Sequence, residues 1–455
     1  MKHLSKGMVG ALAAAIVLVA FAPLTAVPAR ADVTAVTEEQ GATTLLGGGD
    51  HRFIRFGDDA AFGVLWGTNA TPNNIYLVAV KARYLGVADV TNGATGTTLA
   101  SDRTIRIYTI YALKLGAIVE FNDLNQDGIA NYTRASSGVN YTGYTEAEPL
   151  YKYASLTTAW TPSPVNRTDP APGTRTWSFS LTARNLSYVA IGGSTTNGAL
   201  DLVTFTFHLT TTVVHVDNAT VPKYAITVER QGLLWRITNA SRDGSVTWSG
   251  DRLQYTVKWD QKIVGWDFHS SNANPALVIE VGAIVANRFP TDLGEWFTAA
   301  IVYRLNEDGR MGWRNNTGAD GTNETTGYRQ PQRLRNNSSI EAGGNWTYIG
   351  RLTWASGCTV DNATRTMYAQ VQGGIIGAIA YGNATYIGFA VLIGFSFPGG
   401  NDIEHDPTVS SDAFVITPTG GGTPSGLGLF VAAIAFVVVL LLILAIVSAG
   451  RRRKK

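Results

Sequence analysis

The chain has 455 residues, 36 Lys and Arg against 34 Asp and Glu, 45% hydrophobic residues and one cysteine, Cys358. Setting aside Lys2, Lys6, Arg30 and the five basic residues that end the chain leaves 28 basic against 34 acidic residues, the opposite of a nucleic-acid binder's balance. One cysteine excludes an internal disulfide, so the fold must rest on buried apolar surface, for which the length suffices.

The first 31 residues read as a secretory signal. Lys2 and Lys6 form a positive start, "MVGALAAAIVLVAF" is the apolar segment, and Ala29 to Ala31 offer small residues for cleavage before Asp32.

From Asp32 onward, alternation with a period of two dominates. In "LDLVTFTFHLTTTVVHV" the residues Val203, Phe205, Phe207 and Leu209 fall on one face, and Thr204, Thr206, His208 and Thr210 on the other. That spacing predicts a half-buried strand. "RTIRIYTIYALKL", "YAITVERQGLLWRI", "DRLQYTVKWDQKIVGWDF" and "TRTMYAQVQGGIIGAIAYG" read the same way. Breaks such as "TNGATG", "TPSPVNRTDPAPGT" and "HSSNANP" separate them. The expected class is all-β: two antiparallel β-sandwich modules, residues 32–230 and 231–416, with one large continuous sandwich as the alternative.

Within the first module lies "EFNDLNQDGIANYT", Glu120 to Thr133. Asp123, Asn125 and Asp127 occupy positions one, three and five; Gly128 follows, Ile129 would offer a carbonyl, and Asn131 stands at position nine. Calcium takes six to eight hard oxygens, and side chains two apart converge only where the backbone wraps tightly, as a glycine permits. The stretch resembles the calcium loop of dockerins, EF-hands and related surface repeats. It departs from them at position twelve, where Arg134 replaces the bidentate acid; Glu120, Glu146 and Glu148 are the nearest acids to replace it. The plain alternative for 123–134 is a polar hairpin turn. "RLNEDGRMG", with Asn306, Asp308 and Gly309, is a poorer match and reads as a turn.

Asn-x-Ser/Thr triplets stand at Asn69, Asn131, Asn140, Asn166, Asn185, Asn218, Asn239, Asn315, Asn323, Asn336, Asn337, Asn345, Asn362 and Asn383. That is fourteen of 26 asparagines, where a Ser and Thr content of a sixth gives about four by chance; the excess points to a glycosylated exterior.

No catalytic set assembles. H-E-x-x-H, G-x-S-x-G and the phosphate-cradling glycine loop are missing, and His51, His208, His215, His269 and His405 lack ligand spacing. Asp58 with Asp59, and Glu404 with Asp406, read as solvated surface acids. Of the 11 tryptophans, Trp259 and Trp266 fall on alternating strands and are expected in the core, whereas Trp313 sits in a loop-like setting where it could stack on a sugar ring. Cys358 is expected to be buried as a small apolar residue.

Residues 417–426 form a Gly/Pro/Thr linker. Residues 427–449 are apolar and uncharged, long enough to span a bilayer as one helix. The basic tail 450–455 places the C-terminus on the cytoplasmic side and the bulk of the chain outside. Sequon-rich, cysteine-poor, β-rich and ending in a single apolar helix, the chain resembles archaeal single-pass cell-surface proteins, a likeness shared by "VKARYLGVADV" and "GGNDIEHDPTV". Pro424, Ser425 and Gly426 differ from the Pro-Gly-Phe of archaeal sorting signals, which favours retention of the helix. The expectation is a non-enzymatic, calcium-stabilised envelope glycoprotein of structural or adhesive role. Its partners would be the lipid bilayer and envelope glycans or other surface proteins, not nucleic acid; a carbohydrate-binding or carbohydrate-degrading module is the alternative.

Overall fold

The computed structural model describes residues 36–56, 60–128, 130, 132–135, 138–141, 148–191, 198–231, 234–290, 312–315, 332–334, 339–344, 347–354, 357–381, 384–405, 407–410 and 415–416. The signal 1–31, the linker 417–426, the apolar run 427–449 and the tail 450–455 lie outside them. Within them the fold is all-β. The one helix is the three-residue 3-10 turn Leu45–Gly47, and no helix of the described residues is long and apolar enough to cross a membrane.

Strands longer than their sequence breaks suggest carry the architecture: Tyr76–Asn92, Thr98–Asn122, Thr174–Ala190, Ala199–Gln231, Leu234–Val264, Pro275–Pro290, Tyr368–Tyr381 and Ala384–Pro398. All belong to one continuous hydrogen-bonded network. Its pairings are antiparallel except one, where Lys223–Val228 runs parallel to Val87–Asn92.

Two kinds of strand follow from two burial regimes. In the Ala199–Gln231 strand the alternation is realised: Val203, Phe205, Phe207 and Leu209 are buried, and the threonines between them meet hydroxyls on the neighbouring strand, Ser180 to Thr206 at 2.9 Å and Thr182 to Thr204 at 3.2 Å. The Thr98–Asn122 and Pro275–Pro290 strands pair with each other, and over residues 108–122 and 276–284 they are buried on both faces. Ile118, Leu277 and Ile279 enter the main hydrophobic cluster; Val119, Phe121, Ala276 and Val278 enter a second on the other side. Burial of both faces explains why "YALKLGAIVEF" and "ALVIEVGAIV" read as almost unbroken apolar runs.

The main cluster draws on residues from Phe53 to Ile403, including Trp66, Trp177, Phe207, Trp259 and Phe395. It therefore takes side chains from both sides of residue 230, and the chain passes that point within the hairpin joining Ala199–Gln231 to Leu234–Val264. Trp66, Trp160, Trp177, Trp259 and Trp266 are all buried, as expected for the last two. Trp313 corrects its loop-like reading: it lies in the strand Gly312–Asn315, opposite Ala342. The glycines and asparagines around it suggest a loop, but a partner strand supplies pairing that composition does not encode. Cys358 is buried, and burial pushes its thiol up to about 11.

Candidate metal centre

The Asp123 loop begins where the Thr98–Asn122 strand ends, and its mouth is fixed by backbone. The Asn122 amide donates to Pro149 O at 2.9 Å, and the Asp123 amide to Asn274 O at 2.9 Å. Inside the loop Asp123 is the organiser. Its Oδ1 accepts the Asp127 amide at 3.0 Å and its Oδ2 the Gly128 amide at 2.9 Å. Asn125 Oδ1 accepts the same Asp127 amide at 3.0 Å. Gln126 and Gly128 adopt positive φ, 55° and 72°, the turn that folds the acids inward. Gly128 is needed for space as well: a Cβ there would fall 1.8 Å from the Tyr368 ring.

The third acid comes from outside the loop. One carboxylate oxygen each from Asp123, Asp127 and Glu148 lie within 4.8 Å of one another. Glu148 is 1% exposed and reaches the site because the strand that follows it, Leu150–Ser155, pairs with Ala117–Phe121. Burial, the largest cause, raises the Asp123 pKa above its ordinary value, and the charge of Asp127 raises it further; the amides of Gly128 and Asp127 pull the other way.

Three carboxylates so close repel when ionised, and a buried one is costly unless a proton or cation neutralises it. All-oxygen donors around a glycine turn suit a hard divalent cation. Of the expected ligands, the structure brings Asp123 and Asp127 together and turns the Asn125 carboxamide toward the loop backbone. Ile129 and Asn131 lie outside the described residues, as do Glu146 and the weaker loop at Asn306, Asp308 and Gly309.

Glu120 is engaged elsewhere. Fully buried, it accepts Trp266 Nε1 at 3.0 Å, the His269 amide at 2.8 Å and Asn272 Nδ2 at 2.9 Å, with Lys152 Nζ 4.0 Å away. Lys152 in turn donates to Asp267 O and lies 4.0 Å from the Tyr188 ring centre. Glu120 thus braces residues 265–274, the segment whose Asn274 carbonyl holds the start of the acidic loop.

Asn69, Asn166, Asn185, Asn218, Asn239 and Asn362 are exposed, three of them (Asn185, Asn218, Asn362) at positive φ. Asn140 and Asn315 lie in short strands, with side chains outside the described set. Asn131, Asn323, Asn336, Asn337, Asn345 and Asn383 fall outside the described residues. So do the surface acids Asp58, Asp59 and Asp406, whereas Glu404 pairs with Lys262 at 2.6 Å.

No protein-family model matches the chain, and a search of curated proteins finds no match to it.

Proposed function

We propose that this chain is a membrane-anchored, glycosylated and calcium-stabilised cell-envelope protein with a structural or adhesive role. The convergence of Asp123, Asp127 and the buried Glu148 carries the calcium part of the reading. Asp123 and Asp127 would ligate the ion from the loop and Glu148 would replace the acid missing at position twelve. Asn125, Ile129 and Asn131 complete the ligand set the loop resemblance implies. The ion would supply charge neutralisation and closure of the 123–148 segment rather than chemistry on a substrate. Exposure of the sequon asparagines Asn69, Asn166, Asn185 and Asn362 supports a sugar-bearing exterior.

The same reading takes the body as β-sandwich packing, and a main cluster drawn from both sides of residue 230 supports one large continuous sandwich over two modules. The two hydrophobic clusters on opposite faces of the 98–122 and 275–290 pair support stacked layers. The five tryptophans with described side chains are buried and so are not offered to a sugar ring.

Thermal melting of the purified chain in calcium and in excess chelator tests the proposal. A site filled to 100 times its dissociation constant adds about 2.7 kcal/mol, a shift of several degrees. Superimposable melting curves would refute calcium stabilisation.

A further inference from the structure

The Leu234–Val264 strand serves as a ruler for the whole body. At its Val264 end it pairs with Asp402; twelve residues back, Arg252 pairs with Ile416. Strands Asp402–His405, Pro407–Ser410 and Val415–Ile416 descend along it in that order. The chain therefore leaves the body travelling from residue 264 toward residue 234. The acidic cluster stands at the opposite end. Gly265 donates to Asn401 O at 2.8 Å, and the segment that follows ends at Asn274, which accepts the Asp123 amide. Twelve residues of strand separate the exit from this pole by about 40 Å.

Past Arg252 the hairpin continues in the exit direction. Residues 214–231 pair with 234–252 and with no third strand except the parallel Val87–Asn92 among the described residues. Its outer strand presents Ser241, Arg242, Asp243 and Gly244 to solvent. Eighteen residues of hairpin reach about 60 Å, while ten residues from 417 to 426 span at most about 36 Å. With the apolar run 427–449 in the bilayer, so short a tether holds the hairpin against the membrane instead of letting it stand clear. Register shifts at Val216/Ala219, Pro222/Tyr224 and Thr227/Val228 bend the strand, as bulges do, and let it lie along a surface.

We propose that the 214–252 hairpin faces the lipid surface and that the Asp123–Asp127–Glu148 pole faces away from it, the proposal resting on the membrane anchor inferred above. The loops at 123–128, 265–274, 361–362 and 398–401 then form the outward surface, where a partner beyond the cell would meet the protein.

The full chain is reconstituted in vesicles carrying an acceptor dye on lipid headgroups, and donors are placed on Asp243→Cys or Leu124→Cys. Leu124 is 49% exposed, and Cys358, at 4% exposure, is shielded from labelling under native conditions. Energy transfer from residue 243 should exceed that from residue 124 several-fold. Equal transfer, or greater transfer from residue 124, overturns the orientation. Flotation of the same samples separates the two failures. Chains that fail to float with vesicles remove the anchor and the orientation together, whereas floating chains with equal transfer remove only the orientation.

Discussion

Glu148 follows Asp127 by twenty-one residues, yet their carboxylate oxygens and one from Asp123 lie within 4.8 Å of one another. The strand pairing of Leu150–Ser155 with Ala117–Phe121 makes that approach obligatory, because it returns the chain to the point where the loop begins. Carboxylates brought this close by the fold favour a proton or a cation between them, and this is the physical root of the calcium proposal.

Gly128→Ala should destabilise the protein by about 1–3 kcal/mol, the cost of forcing a side chain into an unfavourable backbone region, with the clash against Tyr368 added. Urea unfolding measures it. Retention of wild-type stability would show that the loop turn is not under this constraint.

Asp123 predicts a pH dependence whose sign calcium reverses. Burial raises its folded pKa, so without calcium the folded state binds the proton more tightly than the unfolded chain. This contribution is full below the ordinary carboxylate value and is lost as pH rises through the raised one. With calcium bound, the ionised form is favoured and stability should instead grow across that window. The readout is the difference between wild type and Asp123→Asn in thermal melts at stepped pH, with and without the ion. A difference that is flat in both conditions would contradict it.

Removing the Glu120 side chain leaves Lys152 with only the exposed Asp267 carboxylate, 3.8 Å away, as counter-charge. It also strands the donors of Trp266, His269 and Asn272. Glu120→Ala should cost about 3–5 kcal/mol, as for other buried pairs broken on one side. Chemical denaturation reads the cost; a loss below about 1 kcal/mol would mean that water replaces the network.

The alternating strand 199–231 makes a sharper contrast. Phe207→Ala should cost about 3–5 kcal/mol through the cavity it leaves. Thr206→Ala, on the polar face and bonded to Ser180, should cost about 1 kcal/mol. Equal costs would mean that both faces are buried.

The contrast also shows what the sequence could reveal. Where one face meets solvent, as at Val203 to Thr210, period-two alternation is written directly into the residues and the strand is legible. Where both faces are buried, as at Ile118 and Val119, alternation vanishes because nothing polar is needed, and the layering has no local signature. Asp123 and Asp127 are legible as neighbours because acids four residues apart before a glycine turn are brought together locally. Glu148 reads only as one of three acids nearby, because its approach to Asp123 and Asp127 depends on the pairing of Leu150–Ser155 with Ala117–Phe121, which no local pattern announces. The parallel pairing of Lys223–Val228 with Val87–Asn92 joins segments over a hundred residues apart and leaves no trace in either. Around Trp313 the glycine and asparagine neighbours suggest a loop, whereas pairing with Ala342 makes it a strand.

Calorimetric titration of calcium into the chelator-stripped chain, beside Glu148→Gln, bears most directly on the acidic site. The fold predicts saturable binding in the wild type and at least about a tenfold weaker affinity in the variant, roughly 1.4 kcal/mol. Absence of binding in the wild type, or an affinity unchanged by the substitution, would contradict it.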